Sequence, residues 1–313
     1  MFYYVVKRLC SAVFIMWAVT TLVFFAMRLV PADPAEVILG DNATEESLQA
    51  IREKTGLNLP VLTQYRIFMS GLMRGDLGRS MINNQSVSEQ IAALFPYTLE
   101  LALASLFVGA AIGIPLGILT AVRRNSWIDY FGRIFALTGF SFPAFYLGIL
   151  LLLFFSVYLK WFPVVHTFNV GGLLERIEKL VLPALSLGII QAAYITRLTR
   201  SSMLEQLELD YVRTARAKGI SESSIQYKHV LRNVMIPVIT AIGLYTGAIL
   251  GGAVLTETVF NRPGIGKLLV GAIAQRDYTL IQSGLMVFAL IVVLINLLVD
   301  LSYTLFDPRV KYE

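Results

Sequence analysis

Two histidines, His166 and His229, and one cysteine, Cys10, are the first residues of this 313-residue chain to weigh for catalysis. A histidine serves as acid, base or metal ligand near neutral pH, but only with a partner group beside it. The topology derived below puts His166 and His229 on opposite sides of a membrane, so they cannot share a site. Cys10 lies in an apolar run and has no second cysteine, which leaves no route to an intrachain disulfide or a cysteine metal cluster. The chain contains no HExxH pattern. Gly264-Ile265-Gly266-Lys267-Leu268 looks like a phosphate-binding loop only in part. A Walker A motif needs a glycine separated by four residues from the Gly-Lys pair and Ser or Thr after it; Asn261 and Leu268 stand in those places. The expectation is a chain with no catalytic residues, no metal and no bound cofactor, which does not bind ATP by itself.

The elements that would carry any chemistry are spans. Hydrophobic residues make up 56% of the chain and charged residues 15%, against about 45–50% and about 25% in a globular protein. That shortage of charge excludes a soluble enzyme, a disordered regulator and a secreted disulfide scaffold. The charge-free stretches are 9–27, 101–122, 134–159, 180–196, 233–256 and 278–299. Roughly 20 apolar residues cross a bilayer core as a helix, so the reading is an all-α integral membrane protein with six transmembrane helices. Lys7 and Arg8 precede the first stretch as they would in a signal peptide. Its length and the lack of a small-residue cleavage site before Val30-Pro31 favour a retained helix.

Orientation follows from Lys and Arg. With the N-terminus inside, the inner segments carry fourteen basic residues: Lys7, Arg8, Arg123, Arg124, Arg133, Arg197, Arg200, Arg213, Arg216, Lys218, Lys228, Arg232, Arg309 and Lys311. The short outer loops carry six: Lys160, Arg176, Lys179, Arg262, Lys267 and Arg276. Both termini are expected in the cytoplasm. The net charge of +5 then reports orientation, not nucleic-acid binding. This divides the chain into 1–27 (N-terminal segment and first span), 28–100 (an extracytoplasmic helical cap), 101–306 (spans two to six, with a cytoplasmic loop at 197–232) and a cytoplasmic tail, 307–313. In the cap, Thr44 can start a helix with Glu45 and Glu46 in its first turn, Leu48 and Ile51 on one face, and Gly56 and Pro60 as stops. Ser86-Val87-Ser88-Glu89 reads as a capping box.

Small residues recur every four positions at Gly109, Gly113 and Gly117, and again at Gly243, Gly247 and Gly251. This spacing lets helix backbones approach closely in lipid. It serves either packing within the chain or, for the fifth-span set, the seam with a second membrane subunit. Pro115 is expected to kink its span, while Pro183 and Pro237 read as lying near helix starts. Among ionisable residues only Asp300 lies close to a span, which makes an ion-driven carrier hard to build.

The most specific string is Asp210-Tyr211-Val212-Arg213-Thr214-Ala215-Arg216-Ala217-Lys218-Gly219-Ile220-Ser221-Glu222. It reads as a short helix of little bulk, broken by Gly219 and restarted by Ser221. Such a knob between the fourth and fifth spans suits docking into a cleft of a cytoplasmic partner; the alternative is an ordinary solvated connector. The segment resembles the EAA-type coupling loop of ABC importer permeases. There Glu-Ala-Ala is followed after three residues by Gly, and later by Ile-x-Leu-Pro. Arg213-Thr214-Ala215 stands for the triplet, Gly219 for the glycine, and His229-Val230-Leu231-Arg232 takes the later place.

Other stretches are similar to the peptide/nickel branch of that family, the dipeptide, oligopeptide and glutathione transporters. They are Lys7-Arg8-Leu9, Pro31-Ala32-Asp33-Pro34, Gly56-Leu57-Asn58-Leu59-Pro60 with Gln64-Tyr65, and Gly75-Asp76-Leu77-Gly78-Arg79-Ser80. Glu257-Thr258-Val259-Phe260-Asn261-Arg262-Pro263-Gly264-Ile265-Gly266, Arg276-Asp277-Tyr278 and Asp307-Pro308-Arg309 follow in order. The resemblance implies a type I ABC importer permease fold in the bacterial plasma (inner) membrane, of the larger-outer-loop kind. It implies a non-catalytic subunit forming half of a translocation pathway for short peptides or related small solutes. Its partners would be a paralogous permease, two cytoplasmic ATPases that use the ATP, and an extracytoplasmic solute-binding protein. Tyr211, Arg213, Thr214, Ala215, Lys218, Gly219, Ser221 and Glu222 would contact the ATPase. A self-contained secondary carrier or channel is the other class to weigh.

Overall fold

The computed structural model describes residues 2–29, 33–39, 43–164 and 172–306. His166, Pro31-Ala32, the tail 307–313 and the side chains of Lys7, Arg8 and Asp300 lie outside the described residues. In chain order the helices are α1 (Phe2–Leu29), α2 (Pro34–Leu39), α3 (Glu45–Thr55), α4 (Val61–Met73), α5 (Val87–Val122), α6 (Trp127–Ser141), α7 (Ala144–Leu151), α8 (Leu173–Leu207), α9 (Asp210–Ala217), α10 (Glu222–Ser224), α11 (Leu231–Val259), α12 (Ile265–Gln275) and α13 (Tyr278–Phe306). Wider π turns continue α7 over Leu152–Tyr158 and join α10 to α11 over Ile225–Val230.

Among the described residues, five helices are long and apolar enough to cross a membrane: those containing Cys10–Leu29, Val87–Val122, Leu174–Leu207, Glu222–Val259 and Tyr278–Leu297. The stretch 134–159, expected as one span, is instead two helices meeting at a 108° bend, and makes a sixth span only if both are counted together. Proline is the cause. Pro143 has no N–H to give, and it holds Phe142 extended at φ −112°, ψ 132°. Two further expectations are corrected. Pro183 and Pro237 lie inside α8 and α11, not near their starts. Both helices begin earlier than the charge-free stretches, because polar residues on an exposed outer or inner turn do not end a helix. For the same reason α5 begins at Val87 and runs through Pro96 and Pro115 as one element.

The chain divides into two compact units, one of Met1–Tyr97 with Pro263–Leu294, the other of Thr98–Arg262 with Ile295–Glu313. The first unit packs Val87, Ile91, Ile265, Leu269, Leu280 and Ile281 into a core. Its α3 starts as the sequence predicts. Thr44 accepts from the Ser47 N–H while the Ser47 hydroxyl accepts from the Thr44 N–H, and Gly56 closes the helix in the left-handed region at φ +72°. Gln64 then binds the turn that follows, its Nε2 donating to Leu57 O (3.2 Å) and Leu59 O (2.9 Å).

Two sequence motifs far apart in the chain meet in this unit. Asp277 accepts from the Ser80 hydroxyl, from Met81 N at 3.1 Å and from Leu280 N at 3.1 Å. Ser283 Oγ donates to Leu77 O at 2.7 Å. Gly78, at φ +77°, is required twice over, since a Cβ there would also stand 2.7 Å from Thr279 Cγ2.

The second unit is organised by α8. The α5 ladder packs against it: a Cβ at Gly109, Gly113 or Gly117 would stand 2.6 Å from Gln191 Oε1, 2.7 Å from Ile195 Cβ or 2.5 Å from Thr199 Cβ. The three partners are themselves four residues apart, so two backbones run in close contact over two turns.

Candidate functional site

The knob read from the sequence is present in the second unit. Helix α9 presents one turned-in face: Val212 is fully buried in a cluster with Met203, Ile225, Val230 and Val234, and Tyr211, Ala215 and Ile220 pack on its edge. Tyr211 donates to Gln206 Oε1 (2.9 Å) and accepts from Asn233 Nδ2 (3.4 Å). Two of the expected contact residues, Tyr211 and Ala215, are therefore half-buried against their own chain. Arg213, Thr214, Arg216, Ala217, Lys218, Gly219, Ser221 and Glu222 stand exposed on the other face. Sequence spacing brings all of them to one surface but does not say which side faces in; the apolar positions Val212, Ala215 and Ile220 carried that signal.

Local chemistry sets the shape of this surface. Gly219 turns the chain at φ +75°, with open space where a Cβ would stand. Its N–H reaches Arg216 O at 2.9 Å, and Ile220 N reaches Ala215 O at 3.2 Å, which ends α9 in a left-handed turn. Ser221 then caps the next turn by accepting from Ser224 N. Arg216 grips Glu222 with two hydrogen bonds, 2.6 and 3.2 Å, bridging the glycine turn. That hydrogen bond raises the Arg216 pKa further above its ordinary value. Arg213 pairs with Asp210 at 3.2 Å.

Below the knob, Asp129 is fully buried and binds Arg200 through both oxygens, at 2.7 and 3.0 Å. It also accepts from Asn125 N at 2.9 Å, and Ser126 caps α6 beside it. Toward the other end of the unit, Thr98 donates to the buried Glu257 at 2.6 Å. Arg262 binds Glu100 at 2.6 Å, and Arg176 binds the same carboxylate at 2.7 Å. The sequence reading placed only Asp300 near a span. Asp129 and Glu257 are two buried carboxylates it missed; the Ser126 cap marks the start of α6 but gives no sign of the burial of Asp129. In the fifth-span ladder, a Cβ at Gly247 would stand 3.0 Å from Asn296 Oδ1, Gly251 has open space, and Gly243 is half-buried.

The model of the family described as "Binding-protein-dependent transport system inner membrane component" matches residues 113–312, and that of the N-terminal region of the membrane component of such systems matches 1–102. The chain belongs to this family. It is a permease subunit of a binding-protein-dependent ABC importer and a multi-pass component of the inner membrane. The permease is 40% identical to the dipeptide transport system permease protein DppB of Alkalihalophilus pseudofirmus, over 99% of each chain. It is 43% identical to the glutathione transport system permease protein GsiC of Salmonella paratyphi A, over 99% of each. With the di/tripeptide transport system permease protein DppB of Pseudomonas aeruginosa it shares 39% over 99% of each. A chain of the MetNI methionine ABC transporter, solved in inward-facing conformations, superposes with a TM-score of 0.55 at 19% identity, over 70% of the permease and 96% of that chain. That likeness establishes an ABC-permease fold.

Proposed function

We propose that the permease imports short peptides or related small solutes, forming half of a pathway with a paralogous permease. In this reading two cytoplasmic ATPases supply the energy, and an extracytoplasmic solute-binding protein delivers the cargo to the cap at 28–100. Both termini then lie in the cytoplasm, and the exposed face of 210–222 is where the ATPase docks. The observation that carries the docking surface is its construction: an exposed, polar and largely basic helix face, turned by Gly219 and seated on a buried apolar base. ATP closure of the partner would push this face, and α8 would pass the displacement into the spans. The chain itself supplies positions and surfaces, with no chemical step of its own. Its relatives named for dipeptides, di/tripeptides and glutathione support a small peptide cargo.

Gly219→Trp tests the surface. Both its bulk and its need for φ +75° oppose docking, so uptake in cells and co-purification of the ATPase should fall to background while membrane insertion is kept. Wild-type uptake by this variant would overturn the assignment. Cargo is tested separately, by calorimetric titration of dipeptides, tripeptides, glutathione and a nickel chelate into the cognate binding protein.

A further inference from the structure

In the first unit, the end of α1, the α3–α4 turn and the start of α13 enclose a cavity of about 390 Å3. Arg28 stands in its wall, half-buried at the end of a span. Its Nε and Nη2 donate to Gln64 Oε1 (3.1 and 2.7 Å), its Nη1 donates to Phe24 O (2.9 Å), and the guanidinium lies 3.3 Å above the Phe24 ring. None of these partners carries a negative charge, and among the described residues no carboxylate ion-pairs with Arg28. A half-buried guanidinium with only neutral partners keeps unused donors and an unbalanced charge. Lys54 and Glu53 share the wall, so its formal charge with Arg28 is positive.

A second observation points to a ligand. Gln282 lines the same cavity at 3% exposure, and among the described residues its Nε2 has no hydrogen-bond partner. Turned toward the cavity, that amide would donate to an oxyanion, which would balance Arg28 as well.

The surroundings decide which anion. Helix α4, which contributes Gln64, Ile67 and Phe68 to the cavity, buries none of its residues, and it exposes Leu62 (60%), Ile67 (57%) and Met73 (82%). The adjoining span exposes Leu22 and Leu29. An apolar helix left open beside the end of a membrane span fits the boundary between acyl chains and headgroups, where phospholipid phosphates lie. We propose that this cavity binds the phosphate of a membrane phospholipid, whose acyl chains run over the open face of α4. Arg28 and Lys54 pair with the phosphate, and Gln282 donates to it. Placing it in the outer leaflet rests on the orientation proposed above; the site itself does not.

The test is native mass spectrometry of the full chain, delipidated in detergent and titrated with dioleoylphosphatidylglycerol, dioleoylphosphatidylethanolamine or inorganic phosphate. Wild type should retain one phospholipid that millimolar phosphate does not displace. Arg28→Gln and Gln282→Leu should each weaken it by about tenfold or more, the scale of one charge-assisted hydrogen bond. Gln282→Leu breaks no side-chain hydrogen bond among the described residues and keeps the test valid if Arg28→Gln fails to fold. Equal lipid retention by Gln282→Leu and wild type would overturn the proposal, and so would saturable binding of inorganic phosphate with no lipid retained.

Discussion

Asp129 and Arg200, 71 residues apart in the chain, are joined by two hydrogen bonds of 2.7 and 3.0 Å, with the carboxylate wholly buried. The pair fixes α6 to the part of α8 that leads into α9. Arg133 lies 3.7 Å from the same carboxylate, so removing Asp129 strands two cations, at a cost of roughly 3 kcal/mol. Asp129→Ala should therefore lower the thermal midpoint of the detergent-solubilised permease clearly. Asp129→Leu combined with Arg200→Met should recover part of the loss; a double-mutant cycle with no coupling energy would refute the pairing.

The two glycine ladders should respond differently to bulk. At Gly113 a Cβ would stand 2.7 Å from Ile195 Cβ and 2.8 Å from Ala192 O. Gly113→Leu should cost about 1–3 kcal/mol or more through overpacking, seen as reduced folded protein in fluorescence-detected chromatography. Gly251 has open space around it, so Gly251→Leu should leave the isolated chain as stable as wild type. If Gly243, Gly247 and Gly251 form the seam with the paralogous permease, that same variant should lose co-purification of the paralogue.

Arg216 and Glu222 form an exposed pair across the Gly219 turn. Exposed pairs contribute little to folding, so Arg216→Glu should melt with wild type. It should nevertheless cut transport-coupled ATP hydrolysis in proteoliposomes severalfold, because it reverses charge on the proposed docking face. Unchanged coupling would place the ATPase contact elsewhere.

Asp277 gathers three donors, the Ser80 hydroxyl and the N–H groups of Met81 and Leu280, while itself almost wholly buried. Leaving a buried donor unsatisfied costs about 1–3 kcal/mol. Hydrogen exchange of Asp277→Ala should show protection lost around 76–86 and at the start of α13. Protection in α8 and α9 should be unchanged.

How far the sequence could be read depended on what each residue signals. Charge-free stretches located five long spans, since lipid tolerates almost no charge and the gaps are hard to produce otherwise. They failed at helix ends. Glu89 and Glu100 lie on α5, and Arg176 and Lys179 on α8, yet each reads as loop when charge alone is counted. Pro143 was visible, but an X-Pro step permits either a mild kink or the 108° break observed. Caps were legible at Thr44 and Gly56 because their chemistry is local. The burial of Asp129 and Glu257 was not, because their partners Arg200 and Thr98 are distant in sequence, 71 and 159 residues away. The turned-in face of α9 lies between these cases, marked by Val212 and Ile220 but outweighed by the exposed polar residues around them.

Helix α8 is one unbroken run of 35 residues, about 50 Å long at 1.5 Å per residue. Its first turns carry Arg176, bound to Glu100, and its last residues lead within a few positions into α9. Between those ends the Gly109, Gly113 and Gly117 contacts leave no slack along its side. If α8 moves as one rod across Pro183, it is a lever whose fulcrum is the glycine stripe. A tilt of a few degrees that shifts α9 by an ångström or two would then move the Arg176 end by a comparable distance the opposite way, so a push at one end of the helix would reach the other without any helix having to unwind.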